Sequence, residues 1–451
     1  MRSLLLGVGL VIPMTADAAE LIWDGHYQVR GQTFQSLSLS DSNPNAEAGA
    51  TLVDHRLRLQ PGWLISDRVG VFVQLDVLPY VLWGDESTTF SDPVTGDDPA
   101  IYTHSVGPAT TEDGDRLANI EATRVWGEVQ TGIGSVRFGR MPLAWGTGMV
   151  LNAGNDPGDE FGDTADRIQL TARTGDVFLQ GGIETNSEGY INEVDDIWTV
   201  TGAVIYKTEK AGTGIYNSYR RQSGDETKFG LYTVDIWGEA QAGVLEFSTE
   251  FAAQFGSGDL DEDTDEATIS AFGFNLDAGV TLNQIRLGLL AGFAGGDKNP
   301  DDKKFHTFHY DPDFNVSLFM FEEPMPVLEP TVKNANNDGR NDDVVLTGYR
   351  ISNAFFARPR VGYQVSEDFY ADISFIIGQA AALPEDEAEN KTYGSEIDLW
   401  LHYTPMDAFS LDGAFGVFLP GAYYSSFEDV DLGGGFDTPV WGGQILGTIH
   451  F

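Results

Sequence analysis

Cysteine is absent from the 451 residues. That excludes a disulfide framework, a thiolate metal centre and thiol redox chemistry. Lysine is scarce, with none before Lys207. Lysine and arginine together number 26 against 69 aspartate and glutamate, a formal net charge of −43. A chain this acidic does not bind nucleic acid through its overall field. Beyond the first 20 residues no stretch is long, apolar and uncharged enough to cross a bilayer as a helix. The 7 histidines are scattered. No serine–histidine pairing stands out, and no glycine-rich phosphate loop opens a helix. Enzymatic activity therefore has no support, and no organic cofactor is expected.

What is present is glycine, 53 residues, and aromatic side chains at 12%. Both levels, with turn signals throughout, favour an all-β chain. The start reads Met1-Arg2, an apolar run over 4–14, then Thr15-Ala16-Asp17-Ala18-Ala19. A charged end, a short apolar core and an Ala-x-Ala site predict an export signal over 1–19. The remaining 20–451 read as one domain.

The far end reads Val440-Trp441-Gly442-Gly443-Gln444-Ile445-Leu446-Gly447-Thr448-Ile449-His450-Phe451. Trp441, Ile445, Ile449 and Phe451 share one parity; Gln444, Thr448 and His450 share the other, with Leu446 the apolar exception. A strand ending on an aromatic, one face apolar, suits the closing strand of a transmembrane barrel. The same alternation recurs at Val53, His55, Leu57 and Leu59 against Asp54, Arg56 and Arg58. It recurs at Leu245, Phe247, Phe251 and Phe255 against Glu246, Glu250 and Gln254, and again over 395–403. Short turns alternate with long acidic loops. Turns fall at Ser66-Asp67-Arg68, Thr131 to Gly134, Gly175-Asp176, Glu209 to Gly212, Ala242-Gly243, Leu282-Asn283, Ser366 to Asp368 and Pro405 to Ala408. Loops fall at 40–50, 84–117, 146–163, 187–196, 222–228, 256–267, 296–348, 381–392 and 420–439. The expected fold is a single antiparallel transmembrane β-barrel of about 18 strands in the bacterial outer membrane, with short periplasmic turns and long acidic extracellular loops. Outer-membrane lipid is then one partner, and the barrel assembly machinery, reading Phe451, another. Trp63, Tyr206, Tyr363 and Phe409 mark one interfacial girdle; Trp83, Trp198, Tyr393 and Trp441 mark the other.

Lysines sit in loops and turns, whereas arginines sit in strands on the polar face. Arg30, Arg56, Arg58, Arg124, Arg137, Arg167, Arg173, Arg286, Arg358 and Arg360 are the expected pore-lining set. Guanidinium makes fixed bidentate contacts with carboxylate. They either brace the wall against lumen acids such as Asp54, Asp76, Glu128, Glu246, Glu250, Asp372, Glu396, Asp398 and Asp412, or line an anion pathway. Pro359 removes a ladder donor, so an irregularity is expected there. In the long loop 296–348, Phe305, Phe308, Tyr310, Phe314, Phe319 and Phe321 are too many aromatics for free solvation. They mark a candidate gate. Within the same loop Asn334, Asn336 and Asp338 carry oxygens at spacing one, three and five before Gly339, like the start of a calcium loop, although position twelve is Val345. They are the candidate metal ligands, and Ca²⁺ at acidic loops is the one inorganic ligand expected. His306, His309 and Asp311 form a weaker metal candidate.

Two stretches carry a family resemblance. Ser135-Val136-Arg137-Phe138-Gly139-Arg140 opens a strand running into a glycine-rich loop. Residues 393–419 read strand, turn and strand, ending Phe418-Leu419-Pro420-Gly421. Together they resemble the alginate-export family of outer-membrane barrels. The resemblance implies an 18-stranded barrel, an arginine-lined lumen, passage of an anionic exopolysaccharide and a periplasmic export partner. It carries over to Arg137, whose parity is inward, and to Arg140, which shares the side of Val136 and Phe138. Polysaccharide export is thus the first functional expectation. A general or solute-selective porin for uptake is the second, and a surface-binding adhesin or receptor barrel the third.

Overall fold

The period-two segments form 18 antiparallel strands that close on themselves. The computed structural model describes residues 20–37, 39, 49–82, 120–187, 197–223, 228–259, 267–299, 302–322, 326–327, 345–346, 350–383, 390–425 and 437–451. Strand β1 is Gly25–Gln35, prefaced by Glu20–Ile22, and β2 is Gly49–Leu59, continued by Gly62–Ser66. There follow β3 (Val69–Leu82), β4 (Ile120–Gln130), β5 (Gly134–Pro142), β6 (Thr164–Thr174), β7 (Val177–Ser187) and β8 (Ile197–Lys207). Next come β9 (Ala211–Ser223), β10 (Lys228–Ala242), β11 (Leu245–Asp259), β12 (Ala267–Leu282) and β13 (Ile285–Ala294). The wall is completed by β14 (Ala354–Gln364), β15 (Phe369–Ala380), β16 (Thr392–Met406), β17 (Phe409–Pro420) and β18 (Val440–His450).

Each strand pairs with its sequence neighbours, and β1 pairs with β18 from His26↔His450 to Gln35↔Trp441. Closure leaves the sheet without an open edge, as hydrocarbon surroundings require. All eight expected short turns are present, at the end where β1 starts and β18 stops. Outward positions are apolar and exposed, among them Val204, Ile215, Ile236, Phe251, Phe274, Leu289, Ile373, Leu399, Phe415 and Ile445. A closed barrel with this outward belt is an outer-membrane barrel, and no helix is long and apolar enough to cross a membrane among the described residues.

The ladder between β14 and β15 skips Arg358 and Pro359, resuming at Arg360↔Ser374 in unchanged register. The expected irregularity is therefore a gap and not a bulge. Trp63, Tyr206, Tyr363 and Trp441 are exposed as a girdle requires. Tyr393 corrects that reading. It is 2% exposed, its hydroxyl donates to the Asn353 carbonyl at 3.0 Å, and its ring packs edge-on to Tyr423 at 4.6 Å. The pairing passes from Gly378↔Gly394 to Gln379↔Thr392 and leaves Tyr393 as the extra residue of β16, so strict alternation fails there. Trp83 lies outside the described residues, as do 1–19 and Asn334, Asn336 and Asp338.

Candidate functional site

Two long connections turn back into the barrel. The first, 143–163, crosses the lumen between opposite walls. On the far wall, Trp145 Nε1 donates to Asp235 Oδ1 at 2.9 Å. The Thr147 hydroxyl donates to Glu250 Oε2 at 2.7 Å, joined by the Thr147 amide, and Asn275 Nδ2 donates to the Thr147 hydroxyl at 2.8 Å. Trp145 packs against Trp237 and Tyr216. The chain then returns to the near wall. Arg58 Nη1 donates to the Gly154 carbonyl at 2.5 Å, and Arg124 donates to the Ala153 carbonyl and to Asn155 Oδ1 at 2.7 Å. Arg30 pairs with Glu160. Positive φ at Gly146, Gly148, Gly154 and Gly158 permits these reversals.

The second connection, described over 295–299 and 302–322, folds under the mouth. Glu396 accepts three consecutive backbone amides, from Leu318 at 3.0 Å, Phe319 at 2.9 Å and Met320 at 2.8 Å. The Tyr310 hydroxyl donates to the Phe274 and Phe293 carbonyls, and burial pushes its titration upward. Phe308, Tyr310, Phe319 and Met320 join Phe34, Met149, Phe356, Phe418 and Tyr424 in one apolar cluster inside the wall. Of the six candidate gate aromatics, Phe308, Tyr310 and Phe319 are fully enclosed, while Phe314 and Phe321 pack against the same cluster. Phe305 is half-buried in a two-residue strand beside β12.

The two connections also hold each other. The Asp311 amide donates to the Met149 carbonyl at 2.7 Å. Asp313 Oδ1 accepts the Glu160 and Phe161 amides at 3.0 and 3.1 Å. Burial, reinforced by Asp159 and Glu160, pushes the Asp313 carboxyl up to about 8.

Below this crossing lies a cavity of about 1700 Å³ that reaches the short-turn end. Its lining places the expected arginines in two groups. Arg30, Arg286, Arg358 and Arg360 border it. Arg56, Arg58 and Arg124 are almost fully covered. Arg137 pairs with Glu128 at 2.9 Å and Arg167 with Glu184 at 3.6 Å. Arg173 is exposed beside its turn and donates to the Gly175 carbonyl at 2.9 Å. Most cavity arginines are engaged: Arg286 with Glu246 at 2.5 Å and Arg360 with Asp277 at 2.7 Å. Arg358 differs. Among the described residues it has no carboxylate partner, its guanidinium lies 5.9 Å from the Trp400 ring, and its buried Nε has no acceptor. His402 sits between Asp412 at 2.7 Å and Asp372 at 3.7 Å.

Arg140 faces outward, as its parity indicates, and forms an exposed bidentate pair with Asp166 at 2.9 and 2.8 Å. It lines no passage. His306, His309 and Asp311 do not converge: His306 Nδ1 meets the Ser270 carbonyl at 2.9 Å, and His309 bridges to Ser352. Among the described residues no group of histidine and carboxylate ligands is placed to hold a metal. The sequence reading missed Asp235, and it gave Glu250, Glu396 and Asp398 to arginine partners. Their signal was a strand acid with no cation opposite it.

No protein-family model matches the sequence, and no curated sequence is similar to it. Solved structures do resemble it. A BenF-like porin from Pseudomonas fluorescens Pf-5 superposes with a TM-score of 0.55 at 9% identity, covering 96% of this chain and 98% of that one. OccAB1 of Acinetobacter baumannii gives 0.55 at 12% identity, covering 95% and 96%. OccK8 (OprE) of Pseudomonas aeruginosa gives 0.51 at 11%, covering 95% and 98%. The alginate-export resemblance finds no support in these likenesses. At such identities they establish the fold alone, a closed 18-stranded barrel.

Proposed function

We propose that the protein is a passive uptake channel for small polar solutes. One observation carries this reading: the lumen is crossed by two connections, each fixed to the wall by buried hydrogen bonds. A polymer conduit needs a continuous bore, whereas this barrel offers a bounded vestibule of about 1700 Å³, a volume suited to small molecules. One of the similar structures is described as a BenF-like porin, which agrees.

The vestibule is acid-rich. Its lining holds eleven aspartates and glutamates against six lysines and arginines. Most of those bases are already paired, so the net field draws in cations, and Arg358 is the one arginine of the described lining without a carboxylate partner. Reconstituted channels should show a reversal potential of cation-selective sign in a salt gradient. Arg358→Ala should strengthen that preference, and proteoliposomes should swell in monosaccharides while excluding long oligosaccharides. Anion selectivity would sink the electrostatic part of the reading. Passage of a polysaccharide, or loss of surface polysaccharide on gene deletion, would sink the uptake reading itself.

A further inference from the structure

Three pairs of neighbouring carboxyl groups stand where the in-folded connections meet the wall and each other. Asp235 on β10 and Glu250 on β11 lie side by side, both fully buried. One oxygen of each accepts from Trp145 or Thr147, while Asp235 Oδ2 and Glu250 Oε1 have no donor. Besides those donors, Asn275, Tyr216 and Tyr310 surround them. Among the described residues neither carboxyl forms an ion pair with a lysine or arginine. Glu396 and Asp398, two residues apart on β16, repeat the pattern. Glu396 takes the amides of 318–320, whereas both Asp398 oxygens lack a donor. Around them stand Ser374, Gly416 and Tyr424, with Arg358 the nearest cation. The third pair joins the connections themselves: Asp163 meets Asp311, with Arg124 and Arg220 facing Asp163 and Asp313 beside Asp311.

Two buried carboxylates in contact cannot both be ionised, because neither repulsion nor desolvation is compensated. A shared proton removes both penalties and supplies the missing donor. We propose that these three pairs are proton-dependent latches, which hold the connections across the lumen in acid and release them as pH rises. The contacts between the connections agree, since burial and Asp163 push the Asp311 carboxyl up to about 9 and burial raises Asp163.

The sign follows from linkage. Each pair takes up a proton on closing, so closure is strongest in acid. It weakens with pH from the ordinary carboxylate value of about 4 upward, by about tenfold per pH unit for each proton bound. The latch between Asp163 and Asp311, outside the wall strands, is lost above the Asp311 value of about 9.

The test is single-channel recording of the full barrel between pH 5 and pH 9, beside Asp235→Asn, Asp311→Asn and Asp398→Asn combined. Asparagine keeps the acceptor oxygen and donates permanently to the partner carboxylate. Wild type should open several-fold more at pH 9 than at pH 5, and the triple variant should stay closed throughout. A flat wild-type profile, or an equal rise in the variant, overturns the proposal. Hydrogen exchange on the wild-type barrel needs neither the variant nor the channel reading. The amides of Thr147, Leu318, Phe319 and Met320 should lose protection with rising pH relative to strand amides. Parallel behaviour of loop and strand amides would likewise overturn it.

Discussion

Glu396→Ala should raise single-channel conductance several-fold and admit solutes that wild type excludes. Three amides donate to this one side chain at 2.8 to 3.0 Å. Alanine leaves all three buried and unbonded at about 1–3 kcal/mol each. Opposing release are the enclosed side chains of Leu318, Phe319 and Met320, each contributing about 1.5–3 kcal/mol. The two sums are comparable, so the segment changes from fixed to exchanging. Glu396→Gln keeps one acceptor and should fall between. Conductance and size limit unchanged in Glu396→Ala would mean that apolar packing alone holds the segment.

Gly154→Val should disrupt the other connection and lower the barrel's heat resistance. Gly154 has φ of +58°, and a Cβ there would lie 1.7 Å from the Phe161 carbonyl oxygen and 2.8 Å from the Gly162 Cα. Both are backbone atoms of the same loop, so no rotamer change relieves the clash. Moving residue 154 pulls carbonyls away from Arg58 and Arg124. Arg58 keeps Asp76 at 2.8 Å. Arg124 keeps the Gln74 amide oxygen, at 2.9 Å, while Asn155 Oδ1 shifts with the loop, and a buried cation that loses most of its partners costs up to about 3–5 kcal/mol. The temperature at which the folded form is lost on gels should drop measurably, with erratic conductance below it. Wild-type stability and current would show that the near-wall contacts are dispensable.

The wall was legible because its information is local. Alternation over ten residues assigns faces without knowledge of neighbours, and turn residues bound each strand. Much of the bracing was legible as well. Asp54 stands opposite Arg30, Asp76 opposite Arg58 and Glu128 opposite Arg137 in adjacent strands, whereas Glu184, opposite Arg167, was not among the acids singled out. The enclosed aromatics of the second connection followed from the cost of solvating them. The rest depended on contacts between distant segments. Glu250 stands opposite Trp237 and Asn275, and its partner Thr147 lies 103 residues away. No period in the sequence reports such a meeting. The same limit explains Arg56, Arg58 and Arg124. Parity turned them inward correctly, but only the path of 143–163 shows that they meet peptide carbonyls or neighbouring side chains where a passing solute was expected. Export, read from short motifs, relied in part on Arg140, and that side chain points away from the lumen.

The crossing divides the barrel unequally. Toward the long loops lies an apolar mass around Phe308, Phe319, Phe418 and Tyr424; toward the short turns lies an open, acid-lined chamber. An ion entering from one side meets a charged antechamber before the constriction, and from the other side it meets the constriction first. Equal and opposite voltages then act on unequal reservoirs of mobile counterions, so the pore behaves as a rectifier whose favoured polarity reports which way the barrel entered the bilayer.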